Sequence, residues 1–301
     1  MQTADKNSGA WSPEAIRALG RLDLIARRIL DGVRQGLHRS FRRGFSTEFF
    51  DYKNYQPDDD VRKIDWRLYA KTNRFFVKRF EAETSLECMM LLDLSPSMSW
   101  RWQNTISKRE YAVALAASLG LLLLEQRDAV GLLAFGDGEN RFLPPRGSLK
   151  QVPAIFSALE TSSTGEASSL PDAVRTFQGM RRHRGLAILF SDLELPLEEL
   201  EEGIRQLGAR NDEAIVFHIL DKAEIELPFA QATHFRDSET GGILPVNMES
   251  LRKTHAVRVR EFRERAAAIS SCSNVLHVPV DTGMSYVDAL LSMRTRREEL
   301  F

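Results

Sequence analysis

Apolar residues recur at helical spacing over 13–35, at Ile16, Leu19, Leu22, Ile25, Ile29 and Val33. Ser12 stands where an N-cap belongs and Pro13 at the first helical position, so this stretch predicts one amphipathic helix. Periodicity stops over 36–60, which mixes Gly36 and Gly44 with Phe41, Phe45, Phe49, Phe50, Tyr52 and Tyr55 and both charge signs. That aromatic content argues against disorder, and a loop this long inside a compact protein is usually functional. From Phe75 the rhythm changes. Residues 75–82 and 86–94 read as two strands forming a hairpin, and further strand-like runs follow at 129–135, 187–190, 214–220 and 274–280. Helical patterns fall between them at 107–126, 148–160, 170–182, 196–208, 247–270 and 285–298. A short hairpin near 140–143 and an extended piece near 231–245 interrupt the alternation. Strands alternating with helices predict an α/β fold with a doubly wound, mainly parallel sheet covered on both faces. The expected organisation is a disordered start (1–12), a helical and loop extension (13–74) and an α/β domain (75–301).

Composition narrows the class. The chain has 301 residues, 43% hydrophobic and 28% charged, as in a globular protein. No apolar run approaches the roughly 20 residues of a membrane-spanning helix, and residues 1–13 lack the apolar core of a signal peptide. Cys88 and Cys272 are the only cysteines, which argues against a disulfide framework or a cysteine-based zinc site. The expected location is the cytoplasm. Net charge is −1, but residues 1–80 carry 17 basic and 10 acidic side chains, and the remainder 24 and 32. A basic N-terminal segment is expected to meet something acidic, nucleic acid, a partner or, most simply, the chain's own acidic remainder.

The chemistry gathers where apolar strands end. Residues 88–92 run into Asp93, Ser95 and Ser97, placing a carboxylate and two hydroxyls at alternate positions in a loop. The carboxyl edge of an open α/β sheet is where such folds bind ligands. These hard oxygens suit Mg²⁺ or Mn²⁺; a Ser/Pro turn capping a helix uses the same residue types. A second buried strand ends in Ser191-Asp192, and the hydroxyl-rich segment 164–169 precedes a predicted helix. Asp93 and Asp192, at the ends of two apolar strands, are expected to approach one ion.

This constellation resembles the metal-ion-dependent adhesion site of von Willebrand factor A domains. There an Asp-x-Ser-x-Ser loop, a Thr from a second loop and an Asp after a later strand hold the ion. Asp93, Ser95 and Ser97 match the first element and Asp192 the last. Ser168 stands at the Thr position, with Thr164 taking its place if the loop register differs. Upstream, Gly36-Leu37-His38-Arg39-Ser40, Arg43-Gly44, Asp51-Tyr52 and Pro57-Asp58-Asp59-Asp60 lead into Ile64-Asp65-Trp66-Arg67 and Phe76-Val77-Lys78-Arg79-Phe80. That order is similar to the bacterial family called domain of unknown function 58, with Asp58 standing where the family usually has Gly. The resemblance implies a Mg²⁺- or Mn²⁺-dependent protein-interaction module. It also implies a partner, a MoxR-type AAA+ ATPase offering a Glu or Asp to the metal, in assembly or remodelling of protein complexes.

Other chemistry finds less support. The six histidines show no metal-ligand spacing, and His218 and His277, in strand-like runs, read as core or edge residues. There is no Walker-type motif, so ATP hydrolysis belongs to a partner. Ser95 and Ser97 have no obvious activating base in sequence, and the chain is not expected to be an enzyme. A metal-dependent phosphoesterase would draw on Asp93, Asp192 and Asp58 to Asp60. Nucleic-acid binding would draw on Arg39, Arg42, Arg43 and Lys53, interleaved with Phe41, Phe45 and Tyr52.

Overall fold

The computed structural model describes residues 12–36, 52–54, 75–78, 86–103, 105–136, 141–161, 169–180, 185–209, 213–229, 234–236, 241–245 and 248–300. The chain divides into two units, one of Met1–Arg39 with Leu86–Phe301 and one of Ser40–Ser85. In the smaller unit, β1 (Tyr52–Asn54) pairs antiparallel with β2 (Phe76–Lys78), Lys53 opposite Val77. The expected hairpin between 75–82 and 86–94 is therefore not formed. The division falls after Ser85 and not at the expected boundary before residue 75.

The larger unit is built on six strands: β3 (Glu87–Asp93), β4 (Ala129–Phe135), β5 (Arg141–Arg146), β6 (Gly185–Ser191), β7 (Glu213–Leu220) and β10 (Val275–Asp281). Their order is β10-β7-β6-β3-β4-β5, parallel throughout except for β5, which runs antiparallel on β4. This is the doubly wound, mainly parallel α/β sheet that the alternation predicts. A small hairpin of β8 (His234–Arg236) and β9 (Ile243–Pro245) accounts for the extended piece after β7.

The N-terminal helix is two helices. Ser12 caps α1 (Pro13–Arg17), its side chain accepting from the Ala15 amide, and α2 spans Leu22–Gly36. Gly20 breaks the run at φ +72°, a conformation glycine adopts without Cβ strain. α2 packs against α3 (Lys108–Glu125) and α9 (Tyr286–Leu300). Arg17 pairs with Glu110 at 3.3 Å, and Arg34 pairs with Glu125. Two of the N-terminal arginines thus meet acids from the acidic remainder of the chain, on partly exposed side chains that add little stability.

A capping box, Ser107 with Glu110, starts α3. Ala112, Leu115, Ala116 and Leu119 are all buried, and so is nearly every other residue of the helix. A helix apolar all round needs cover on every side; here the sheet lies on one side, and α2 and α4 (Val152–Glu160) pack on others. The opposite sheet face is covered by α5 (Leu170–Met180), α6 (Leu197–Gly208) and α8 (Met248–Cys272). Its core joins Met89, Leu91, Leu133 and Leu189 to Val174, Phe177 and Ile204.

At the β5 edge, the pairing with β4 is irregular between Val130 and Leu132. Gln151 repairs it, its Nε2 donating to the carbonyls of Val130 (3.2 Å) and Pro144 (2.7 Å). Gly131 lies within the irregularity. A Cβ there would stand 2.8 Å from the Leu143 carbonyl and 2.9 Å from the Pro145 nitrogen, backbone atoms with little room to give. Gly131→Ala is expected to cost about 1–3 kcal/mol through overpacking. A thermal melt checks this, and an unchanged midpoint would show that β5 shifts freely.

Candidate functional site

β3 and β6 are neighbours, yet β3 connects through α3 to β4 on its other side. Their carboxyl ends therefore flank the switch point where doubly wound sheets place their ligands. Asp93 closes β3. Its Oδ1 accepts from the Ser95 amide at 2.9 Å, and its Oδ2 accepts from Ser191 Oγ at 2.6 Å. Ser191 Oγ also accepts from the Leu193 amide at 2.9 Å, where the chain turns through a left-handed Leu193 (φ 57°). A buried leucine in that region is strained, held by the hydrogen bonds around it. The turn delivers Asp192 to the same edge, its Oδ1 accepting from the Glu194 amide at 3.2 Å.

Ser95 and Ser97 flank Pro96 at the start of a single 3₁₀ turn, Pro96–Ser99. The capping alternative holds only in part. Asp93 shapes the turn, but Ser95 caps nothing with its side chain; its hydroxyl lies 3.0 Å from that of Ser97. Asp93, Ser95, Ser97 and Asp192 are all buried. Ser168 and Thr164, the candidates for the second-loop ligand, lie outside the described residues, as do Asp58 to Asp60 and Asp65-Trp66-Arg67.

Electrostatics distinguish the two carboxylates. Burial, and then the nearby Asp192 charge, push the Asp93 carboxyl up to about 6. Asp192 faces a cation that sequence reasoning missed. Lys108, in the first turn of α3, is fully buried, and its Nζ lies 2.8 Å from Asp192 Oδ2, 2.8 Å from Glu224 Oε1 and 3.4 Å from Glu194 Oε1. Burial works against its charge, but the three carboxylates outweigh it and hold the ammonium well above the ordinary lysine range. A signal was available: in Ser107-Lys108-Arg109-Glu110 a cation sits at the positive end of a helix, which needs carboxylates from elsewhere. Glu224 comes from α7 (Lys222–Glu226), a short helix absent from the expected pattern.

The residues present fit a hard divalent cation. Two buried carboxylates and two buried hydroxyls supply oxygen donors only. Asp192 Oδ2 is buried and, although ion-paired, has no aligned hydrogen bond. Among the described residues no three His, Cys, Asp or Glu side chains converge as a metal cluster, so the hydroxyls would have to take part. His218 on β7 stands in register with Ser191, beside the Asp192 backbone and within reach of the Lys108 charge; its Nδ1 pairs at 3.0 Å with Nε2 of His277 on β10, and both rings are buried.

The family model described as "Protein of unknown function DUF58" matches residues 51–266. The chain belongs to the DUF58 family. It is 27% identical over 293 residues to Uncharacterized protein Rv1480 of Mycobacterium tuberculosis and equally to Uncharacterized protein Mb1516 of Mycobacterium bovis, covering 96% of this chain and 87% of each relative. Among solved structures it is similar to BatB from Bacteroides thetaiotaomicron, described as a conserved hypothetical protein (17% identity, TM-score 0.46, 71% of this chain and 98% of that one). It is also similar to the SpRpn10 VWA domain (12%, TM-score 0.41, 69% and 94%). The fold class of this DUF58 chain stands on its own strand order and register. Among the described residues no helix is long and apolar enough to cross a membrane.

Proposed function

We propose that this DUF58 chain is a von Willebrand A-like protein-interaction module that works through Mg²⁺ or Mn²⁺ at the carboxyl edge of its sheet. The observation that carries this is the burial of Asp93, Ser95, Ser97 and Asp192 at the carboxyl ends of the adjacent strands β3 and β6, at the switch point. Asp93 and Asp192 would supply charge, Ser95 and Ser97 neutral oxygens, and Ser168 the second-loop hydroxyl. When bound, the ion would supply an electrophilic position for an anionic oxygen from a partner. The chain's own residues do the rest: Ser191 and the Ser95 amide orient Asp93, and the strained turn at Leu193 aims Asp192. Preformed donors of this kind bind without reorganising. The motif order shared with the family supports a MoxR-type AAA+ ATPase as partner, with a Glu or Asp meeting the site, in assembly or remodelling of other complexes. Function here is binding and not turnover.

The test is metal-dependent capture of the purified ATPase by wild type and by Asp93→Ala. Binding in Mg²⁺ is expected to fall by about a hundredfold in the variant, close to 3 kcal/mol, with the far-UV circular dichroism spectrum retained. Equal binding by the two proteins, or binding that survives a chelator, would overturn the proposal.

A further inference from the structure

The candidate site already contains a cation. Lys108 Nζ has no solvent exposure, and the carboxylates around it come from two other elements: Asp192 and Glu194 after β6, and Glu224 from α7. A buried ammonium is costly unless carboxylates hold it, and the start of a helix adds to that cost. Its charge is thus committed. The three acids do not have equivalent roles. Glu224 is also tied to its own helix, its Oε2 accepting from the Asp221 amide at 2.8 Å. Glu194 is partly exposed, with its side chain 44% accessible. Asp192 is the one that stands at the metal edge, and the oxygen facing Lys108 is the one without an aligned hydrogen bond. A divalent ion using Asp192 would meet a fixed positive charge already held by the same carboxylate, and in a buried setting such charges repel strongly.

We propose that Lys108 is the resident counter-cation of this site, holding Asp192 and opposing entry of the divalent ion. The inference rests on the metal-dependent reading of the site and adds what sets its affinity. Lys108 keeps buried Asp192 compensated when no ion is bound, and it weakens the ion's hold when one is. The site is thereby tuned to exchange its ion instead of locking it in. Glu224 modulates this by drawing part of the ammonium's charge away from Asp192.

The two residues should act in opposite directions. Calorimetric titration of the full chain with Mn²⁺ is expected to show Lys108→Met binding at least about tenfold tighter than wild type. Glu224→Gln, which keeps an oxygen for the Asp221 amide, is expected to bind several-fold more weakly. Equal or weaker Mn²⁺ affinity in a folded Lys108→Met would overturn the role of Lys108 while leaving metal binding in place. No binding by any of the three proteins would overturn the metal reading, and this inference with it. Should Lys108→Met fail to fold, Glu224→Gln decides: affinity equal to or tighter than wild type would overturn the proposal.

Discussion

Acidification from pH 6.5 to pH 4 is expected to cost the larger unit on the order of 5 kcal/mol through His218 and His277 alone, set against buried carboxyls that work the other way. Both rings are buried and neutral. Burial, then the facing His277, pushes His218 down to about 3. Burial, then Arg296 and Arg263, pushes His277 down to about 4. The unfolded chain takes up protons on both rings below its ordinary value of 6.5, while the folded chain does not until pH 4 or lower. The unfolded state therefore binds more protons across this window, and stability must fall as pH falls, by about 1.4 kcal/mol per unit for each ring. Asp93 acts in the opposite direction. Its folded carboxyl, at about 6, binds a proton before the unfolded one at 3.8 does, returning part of the loss. Glu194, pushed up to about 7 chiefly by burial, and Glu224, raised for the same reason, return more of it. Between pH 7 and 4 the urea midpoint of wild type should fall relative to that of the double variant His218→Gln, His277→Gln, which keeps the carboxyls and lacks both rings. A difference between the two proteins that stays constant over that range would contradict the buried neutral pair.

Phe190→Ala is expected to cost about 3–5 kcal/mol, the range for emptying a fully enclosed aromatic site. Phe190 is completely buried, in register with Leu92 on one neighbouring strand and Phe217 on the other. Its ring stacks on Phe217 at 5.2 Å with an interplanar angle of 2°. The variant thus loses an aromatic pair as well as transferred area. Phe190→Leu, closer in volume, should cost about 1–2 kcal/mol. Denaturant midpoints would separate the two, and equal losses would show that the surrounding core collapses into the space. Phe190 also immediately precedes Ser191 and Asp192, so the alanine variant should loosen the edge that carries both.

What the sequence revealed about this molecule follows from how far apart the interacting residues lie. Asp93 and Asp192 could be brought together on paper because each ends an apolar run, and parallel strands align their ends. The break at Gly20 was hidden because the apolar spacing continues through it; a single left-handed residue leaves no mark on periodicity. Adjacency in sequence favours a β2–β3 hairpin, yet both edges of β3 are taken by β4 and β6, and β2 pairs with β1. Lys108 was the largest omission. Its meaning depends on carboxylates 84 to 116 positions away, at Asp192, Glu194 and Glu224, and no local pattern records them. The second-loop hydroxyl, Ser168 or Thr164, falls outside the described residues.

Prolines stand on both outer strands of the sheet, Pro144 and Pro145 in β5 and Pro279 in β10. Each removes an amide donor from a strand that, among the described residues, has a neighbour on one side only. A strand from another molecule therefore finds no unbroken row of donors along either flank, and the irregular β5 pairing bends that flank further from a flat template. Growth of the sheet by lateral addition is disfavoured at both ends. Whatever meets the two flanks of this sheet has to do so through side chains and loops, with the backbone ladder contributing little to the choice.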